Sequence, residues 1–142
     1  MIVLDTNVMS ELSKPKPDEA VLAWTDSVRG PAVATTTVNV AEMFYAISKL
    51  PDGRRKAALG EAVTQLIDID LAGRALPFDY EAARQFAAIV TRREAVGRPI
   101  SVSDAQIAAI CHSVDATLAT RNTKDFDGAG IDLINPFDYI DN

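Results

Sequence analysis

The sequence predicts an α/β protein: a three-layer sandwich with a central, mainly parallel sheet of four to five strands. Short apolar runs alternate with segments of helical periodicity along the chain, which is the pattern of strand–helix–strand units. The first apolar run, Ile2-Val3-Leu4, is uninterrupted rather than alternating, as expected of a strand that is covered on both faces. Capping residues and breakers between the runs then set the order of the elements.

Two strands and three helices are predicted in the first half of the chain. Residues 14–17 contain two prolines and end the helix that follows the first strand. Asp18 caps the second helix, and Gly30 ends it. Thr36 or Thr37 caps the third. We expect helices over about 6–13, 19–30 and 38–49, a strand over 31–35, and an apolar stripe in the third helix made of Val40, Met43, Phe44 and Ile47.

The second half of the chain begins after the break at Pro51-Asp52-Gly53. Asp79 caps a long helix that stops near Gly97, and Ser103 caps a helix that begins at Asp104. The core face of the long helix consists of Ala82, Phe86, Ile89 and Val90. We expect helices over about 54–67, 80–97 and 104–114, a brief strand or turn at 75–77, and strands at 117–119 and 132–134.

Length and composition restrict the class of protein. The chain has 142 residues, of which 48% are hydrophobic, so we expect one folded domain over residues 1–142. The sequence contains neither a membrane-span pattern nor a signal-peptide pattern, and a cytoplasmic location is the expectation. Cys111 and His112 are the single cysteine and histidine. They exclude an internal disulfide and argue against most zinc sites and against Ser-His-Asp or Cys-His catalysis.

Four carboxylates stand out by their positions: Asp5, Glu42, Asp104 and Asp125. Each has a simpler explanation. Asp5 suits a helix cap, Glu42 an exposed helix face, Asp104 the positive end of a helix dipole, and Asp125 a turn. However, three of them follow predicted strands, and the carboxyl ends of parallel strands meet at one edge of a sheet. Clustered carboxylates repel one another unless a cation neutralises them, and oxygen ligands favour Mg²⁺ or Mn²⁺. Such a cation suits phosphodiester hydrolysis.

The charge pattern bears on nucleic-acid binding. The net charge of −6 argues mildly against a nucleic-acid binder, since most are basic. Net charge hides placement, however. Arg92, Arg93 and Arg98 lie close together just before Asp104, and residues 54–56 form a second basic cluster. Each cluster is either a solvated helix end or a contact for a phosphate backbone.

Four motifs in register resemble the PIN-domain family, particularly VapC-type toxins of the FitB-like group. The resemblance covers essentially the whole chain, and its order, spacing and length agree. The motifs are Ile2-Val3-Leu4-Asp5-Thr6-Asn7-Val8-Met9-Ser10-Glu11-Leu12, Val40-Ala41-Glu42-Met43, Ser103-Asp104-Ala105-Gln106-Ile107-Ala108-Ala109 and Leu118-Ala119-Thr120-Arg121-Asn122-Thr123-Lys124-Asp125-Phe126.

The resemblance implies a PIN fold and a Mg²⁺- or Mn²⁺-dependent endoribonuclease, the toxin of a type II toxin–antitoxin module. Asp5, Glu42 and Asp104 would then hold metal, and Asp125 would hold it directly or through water. Many relatives carry an aspartate where this chain has Asn122, which puts a second metal position in doubt. The implied supporting side chains are Thr6, Asn7, Thr120 and Asn122, and the candidate RNA contacts are Arg92, Arg93, Arg98 and Arg121.

The family also implies partners. A small antitoxin would wrap the toxin and place a basic side chain in the acidic pocket. A homodimer is expected, with a higher toxin–antitoxin assembly beyond it. Trp24 is either part of a contact surface or part of the core.

Two other functions remain open from the sequence. In the first, the chain acts mainly as an antitoxin-bound, operator-binding co-repressor with little nuclease activity of its own. In the second, it is a phosphatase. A phosphoaspartyl mechanism wants an acid two residues after Asp5, and Asn7 at that position argues against it.

Overall fold

The sheet is parallel throughout and has its first strand at the centre. The computed structural model describes residues 1–28 and 30–141. Within them, the strands are β1 (Ile2–Leu4), β2 (Val33–Thr36), β3 (Ala75–Leu76), β4 (Thr117–Ala119) and β5 (Leu133–Ile134). Their order in the sheet is β3-β2-β1-β4-β5, and every neighbouring pair is parallel. The predicted α/β class is therefore confirmed, and the segment predicted as a brief strand or turn is a strand.

Helices connect the strands and cover both faces of the sheet. In the described ranges they are α1 (Thr6–Leu12), α2 (Glu19–Val28), α3 (Thr37–Ser48), α4 (Arg54–Gln65), α5 (Tyr80–Ala95), α6 (Val102–Ser113) and α7 (Thr123–Phe126). A π-helical turn, Leu66–Asp70, extends α4, and a 3₁₀ turn covers Pro136–Asp138. The second helix is predicted to end at Gly30. The last residue before that point, Arg29, lies outside the described residues. No helix in these ranges is both long and apolar enough to span a bilayer.

Two hydrophobic cores lie on opposite faces of the sheet. Successive side chains of a strand point to opposite faces, so Val3 and Leu118 pack with α5, α6 and α7. Leu4 and Ala119 pack on the other face with α1 to α4. Trp24 belongs to this second core and is 1% exposed, which places it in the core rather than on a contact surface. The sheet therefore forms the middle layer of the predicted sandwich.

Helix α6 packs closely because its inner side chains are small. Ala105, Ala108 and Ala109 are fully buried. The thiol of Cys111 follows them into the same core. Burial raises the pKa of the Cys111 thiol to about 12, and the negative charge of Asp5 acts in the same direction. This thiol therefore stays protonated at neutral pH and does not supply a nucleophile.

Two predictions about helix detail are wrong. Helix α6 begins at Val102 and is capped by Ser101, not by Ser103, because the extended backbone of Ser101 brings its hydroxyl to the Asp104 N–H at 3.2 Å. In α3, Phe44 is 45% exposed instead of lying in the apolar stripe. The buried side of α3 repeats every fourth residue as Asn39, Met43 and Ile47, a spacing that excludes Phe44.

Candidate active site

The carboxyl edge of the sheet brings the four candidate acids to one region. Asp5 ends β1, and Glu42 lies on α3 directly after β2. Asp125 lies on α7 after β4, and Asp104 lies in the first turn of α6. Because β1, β2 and β4 are adjacent parallel strands, the segments that follow them leave the sheet at the same edge.

Asp5 accepts four hydrogen bonds and is the buried acid of the site. It is 5% exposed. Its Oδ1 accepts the Thr6 N–H and the Asn39 Nδ2–H, both at 2.9 Å, and the first of these bonds caps α1. Its Oδ2 accepts the Thr120 hydroxyl at 2.8 Å and the Asn7 amide at 3.4 Å. The helix-capping role considered for Asp5 is therefore present, but capping accounts for only one of its bonds.

Glu42 is tied to Asp5 through two neutral side chains. The Thr6 hydroxyl donates to Glu42 Oε1 at 2.8 Å. The Asn39 amide donates to the Thr6 hydroxyl and to Asp5 Oδ1, each at 2.9 Å. Glu42 is therefore not an ordinary surface glutamate. Asn39 bonds Asp5 directly and is linked to Glu42 only through the Thr6 hydroxyl.

The charges of the other three acids act on Asp104. Burial raises the pKa of the Asp104 carboxyl above its usual range, and the charges of Asp5, Asp125 and Glu42 raise it further. The Ser101 hydroxyl opposes this effect by hydrogen bonding. Like charges act on one another in this way only when they are close. The four acids therefore share one electrostatic environment.

Asp125 and Asn122 lie on the outer side of the site. Both are exposed. Asn122 precedes α7 and makes no side-chain cap bond, but its backbone N–H donates to the Thr120 hydroxyl at 3.1 Å. Asp104 and Asp125 line a polar cleft of about 510 Å³, here named the Asp104–Asp125 cleft. Its other lining residues are Arg93, Arg98, Pro99, Ile100, Ser101 and Lys124.

The donor set suits a hard cation, with one qualification from geometry. All four acids offer oxygen atoms, as Mg²⁺ and Mn²⁺ prefer. Over residues 1–28 and 30–141, however, no three His, Cys, Asp or Glu side chains are grouped tightly enough to hold an ion between them. Mg²⁺ usually keeps several waters and takes only one or two carboxylates. The residues therefore fit a hydrated magnesium ion better than a closed cage of protein ligands.

The four candidate RNA-contacting arginines differ in exposure. Arg92, Arg98 and Arg121 are exposed. Arg98 pairs with Asp127 at 3.3 Å, and Arg121 stacks on the Phe137 ring at 4.4 Å from its centroid. Arg93 is 5% exposed and donates to two backbone carbonyls. The placement of Arg93 on a solvated helix end is therefore wrong, because the loop that begins at Arg98 and the turn that carries Asp125 cover it.

Sequence reasoning missed Asn39, Ser101 and the buried position of Arg93. A signal for Asn39 was present: it is a polar residue in an apolar helix, and it lies three residues before Glu42 on the same side of α3. A mostly apolar cavity of about 1120 Å³ lies between α1, α2 and α4 and is lined by none of the four acids. The acidic region and this apolar cavity are therefore separate features.

Fold and site together define a parallel α/β sandwich with an acidic cleft at the carboxyl edge of its sheet. Comparison with known proteins agrees with this class. The PIN domain model matches residues 2–131, and the chain belongs to the PIN-domain family.

Named relatives match this chain over nearly its whole length. The chain is 39% identical over 138 residues to the VapC ribonuclease Y4jK of Sinorhizobium fredii, covering 97% of this chain and 99% of the relative. It is 39% identical over 137 residues to toxin FitB of Neisseria gonorrhoeae, covering 96% and 99%. The solved structure of FitAcB from Neisseria gonorrhoeae has a TM-score of 0.89 at 38% identity, covering 97% and 99%. The solved structure of FitAB bound to an IR36 DNA fragment also has a TM-score of 0.89 at 38% identity, covering 100% of this chain and 99% of that one.

Replacing Asn39 tests the network around Asp5. Asn39→Ala removes the amide that donates to Asp5 and Thr6, together with the carbonyl that accepts the Thr36 hydroxyl at 2.6 Å. We expect a loss of about 1–3 kcal/mol in the free energy of unfolding, because buried partners are left unsatisfied. Urea denaturation measures it. Gln85→Ala is the control, since the amide of Gln85 donates to the exposed carboxylate of Glu81; an equal loss in both variants would contradict a special role for Asn39.

Replacing Asp104 tests the repulsion among the acids. Because the folded-state pKa of Asp104 is raised, its ionisation opposes folding at neutral pH and has no effect below the unfolded pKa. Metal-free Asp104→Asn should therefore be more stable than wild type at pH 7, on the order of 0.5 kcal/mol after solvent screening. The gain should shrink as the pH falls through the folded pKa and vanish below about 3.8.

Thermal unfolding in EDTA between pH 3 and pH 7 makes this comparison. The control is Asp132→Asn, at an exposed position before β5, which should show no such pH-dependent gain. A less stable Asp104→Asn protein at pH 7 would mean that repulsion does not dominate at this position.

Proposed function

We propose that the protein is a divalent-metal-dependent endoribonuclease that hydrolyses RNA phosphodiester bonds. The observation that carries the proposal is the placement of Asp5, Glu42, Asp104 and Asp125 at the carboxyl edge of a PIN-family sheet. The relative named VapC ribonuclease supports RNA as the substrate. Residues 1–142 would form a single PIN domain.

Asp5, Glu42, Asp104 and Asp125 would hold Mg²⁺ or Mn²⁺, partly through water. When bound, the cation activates water and stabilises the charge that develops on the phosphate. The chain itself contributes orientation. Asp5 keeps one position because four donors bond to it, and a fixed carboxylate loses little freedom when it binds a cation.

Basic side chains around the acids would bind the RNA backbone. Arg98 and Lys124 line the Asp104–Asp125 cleft, and Arg121 is exposed directly after Thr120. Arg92 is exposed on α5, where it donates to the Ala129 carbonyl at 3.0 Å. Phosphate contacts of this kind position a strand without reading its bases. The arginines would therefore set where the strand lies against the acids and not which base sequence is cut.

The proposed biological role is that of the toxin of a type II toxin–antitoxin module in the cytoplasm. The relatives named toxin FitB and VapC ribonuclease, and the solved FitAB and FitAcB structures, support this role. A small cognate antitoxin is the proposed partner, and a homodimer within a larger assembly is the proposed state. The antitoxin would suppress cleavage by placing a basic group among the acids, where a cation is otherwise favoured.

Substituting the acids tests the cleavage activity. With a labelled single-stranded RNA and Mg²⁺, Asp5→Asn and Asp104→Asn should each lower the cleavage rate by about 100-fold or more, since several kcal/mol of charge stabilisation is lost. EDTA should abolish wild-type cleavage, and added Mg²⁺ or Mn²⁺ should restore it.

The control for this experiment is Glu61→Gln, at an exposed position on α4, which should cleave like the wild type. Full activity of both aspartate variants, or activity that persists in EDTA, would exclude the proposed site.

A second candidate function is an antitoxin-bound, operator-binding co-repressor with little intrinsic nuclease activity. The solved relative FitAB bound to a DNA fragment favours it. The acidic net charge and Asn122 leave it open, because both weaken the case for RNA cleavage by the chain itself. The free protein would then cleave no RNA, whereas its complex with the co-expressed antitoxin would retard operator DNA in a gel. Metal-dependent cleavage by the free protein would reject this alternative.

A further inference from the structure

Arg93 is a buried cation in the wall of the Asp104–Asp125 cleft. It lies in the last turn of α5 and is 5% exposed, which is rare for arginine. Its Nε donates to the Arg98 carbonyl at 2.6 Å, and its Nη1 donates to the Asp125 carbonyl at 2.9 Å. It forms no ion pair with any described carboxylate. Its strongest contacts are therefore with backbone carbonyls.

Those two carbonyls belong to the two walls of the cleft. The loop that starts at Arg98 leads to Ser101, whose hydroxyl accepts the Asp104 N–H. The other carbonyl is that of Asp125 itself. One planar guanidinium therefore spans from the entry of α6, which carries Asp104, to the turn that carries Asp125.

The other anchors of the Asp125 turn are weak or exposed. Helix α7 has four residues and lacks a side-chain cap at Asn122. A helix this short has little stability of its own. Phe126 fixes one side of the turn by burial, and the Asp125 N–H donates to the Asn122 carbonyl within the same turn. Arg98 also reaches this turn, where it donates to the Lys124 carbonyl at 3.5 Å and to the Asp127 carboxylate at 3.3 Å, but both bonds are exposed. The bond from Arg93 is partly buried and goes to the Asp125 backbone itself. It therefore joins Asp125 to the rest of the cleft with less competition from water.

We propose that Arg93 is a positioning residue, which acts by holding Asp125 at a fixed distance from Asp104. This inference rests on the proposed nuclease function. Arg93 fixes the distance between the two acids, and its guanidinium does not bind the RNA. Its effect on cleavage therefore passes through Asp125 and disappears when Asp125 no longer carries a carboxylate.

A double-mutant cycle measures this dependence. RNA cleavage is followed in the full-length chain for wild type, Arg93→Met, Asp125→Asn and the double variant. We expect Arg93→Met to lower kcat about tenfold, with KM for RNA within about twofold of wild type and more Mg²⁺ needed for half-maximal rate. In the Asp125→Asn background the same change should lower kcat by less than about twofold. Arg93→Lys should restore only part of the loss, because an ammonium lacks the planar fork.

Arg74 provides a matched control. Its Nε and Nη2 also bridge two carbonyls, those of Val33 and Gly30 at 2.8 and 3.0 Å. That bridge lies at the amino-terminal end of β2, opposite the acids. Arg74→Met should lose stability and keep wild-type kcat per folded molecule. If Arg93→Met does not fold, Arg93→Lys takes its place in the cycle.

Four results would overturn the inference. A raised KM in both backgrounds would mean that Arg93 binds RNA directly. Equal losses of kcat in both backgrounds, or no loss in either, would mean that it does not act through Asp125. If wild type cleaves no RNA, the proposed function fails, and hydrogen exchange then tests the positioning role of Arg93 by itself. Faster exchange of the Asp125 amide in Arg93→Met but not in Arg74→Met supports that role. Unchanged exchange in Arg93→Met overturns it.

Discussion

The structure depends on one buried carboxylate at the end of its central strand. Burying an ionised group costs several kcal/mol unless hydrogen bonds compensate it. Asp5 obtains those bonds from α1, from α3 and from the segment after β4. Because these elements come from distant parts of the sequence, Asp5 is compensated only when the sheet has its correct register. Forming the sheet and forming the site are therefore one event.

The two halves of the site differ in rigidity. Asp5 and Glu42 are joined by a continuous network through Thr6 and Asn39. The hydrogen bond of Asp104 is with Ser101, outside that network, and Asp104 interacts with the other acids through charge. Hydrogen bonds fix distances, whereas repulsion between like charges pushes groups apart. Asp5, Glu42, Asp104 and Asp125 are the side chains that would hold a divalent cation, and its charge would offset this repulsion.

Local signals explain which parts of the structure the sequence predicted. The strands and most helix starts follow from apolar runs and capping residues, and these depend on near neighbours in the chain. Ser101 and Ser103 compete for the same cap two residues apart, so periodicity alone did not separate them. Arg93 resembled an exposed helix end because the segments that cover it come later in the chain. Asn39 was missed because its partner, Asp5, is 34 residues away.

The acidic net charge has a different meaning once the acids are located. The net charge of −6 argued against a nucleic-acid binder, but four of the acids that contribute to it converge on one region. Without a cation this region repels a phosphate backbone, although Arg98 and Lys124 line the same cleft. A bound divalent cation would remove much of that repulsion and leave the basic side chains to attract RNA. For the proposed activity, metal binding and RNA binding must then strengthen each other, because a coupling free energy between two ligands is reciprocal.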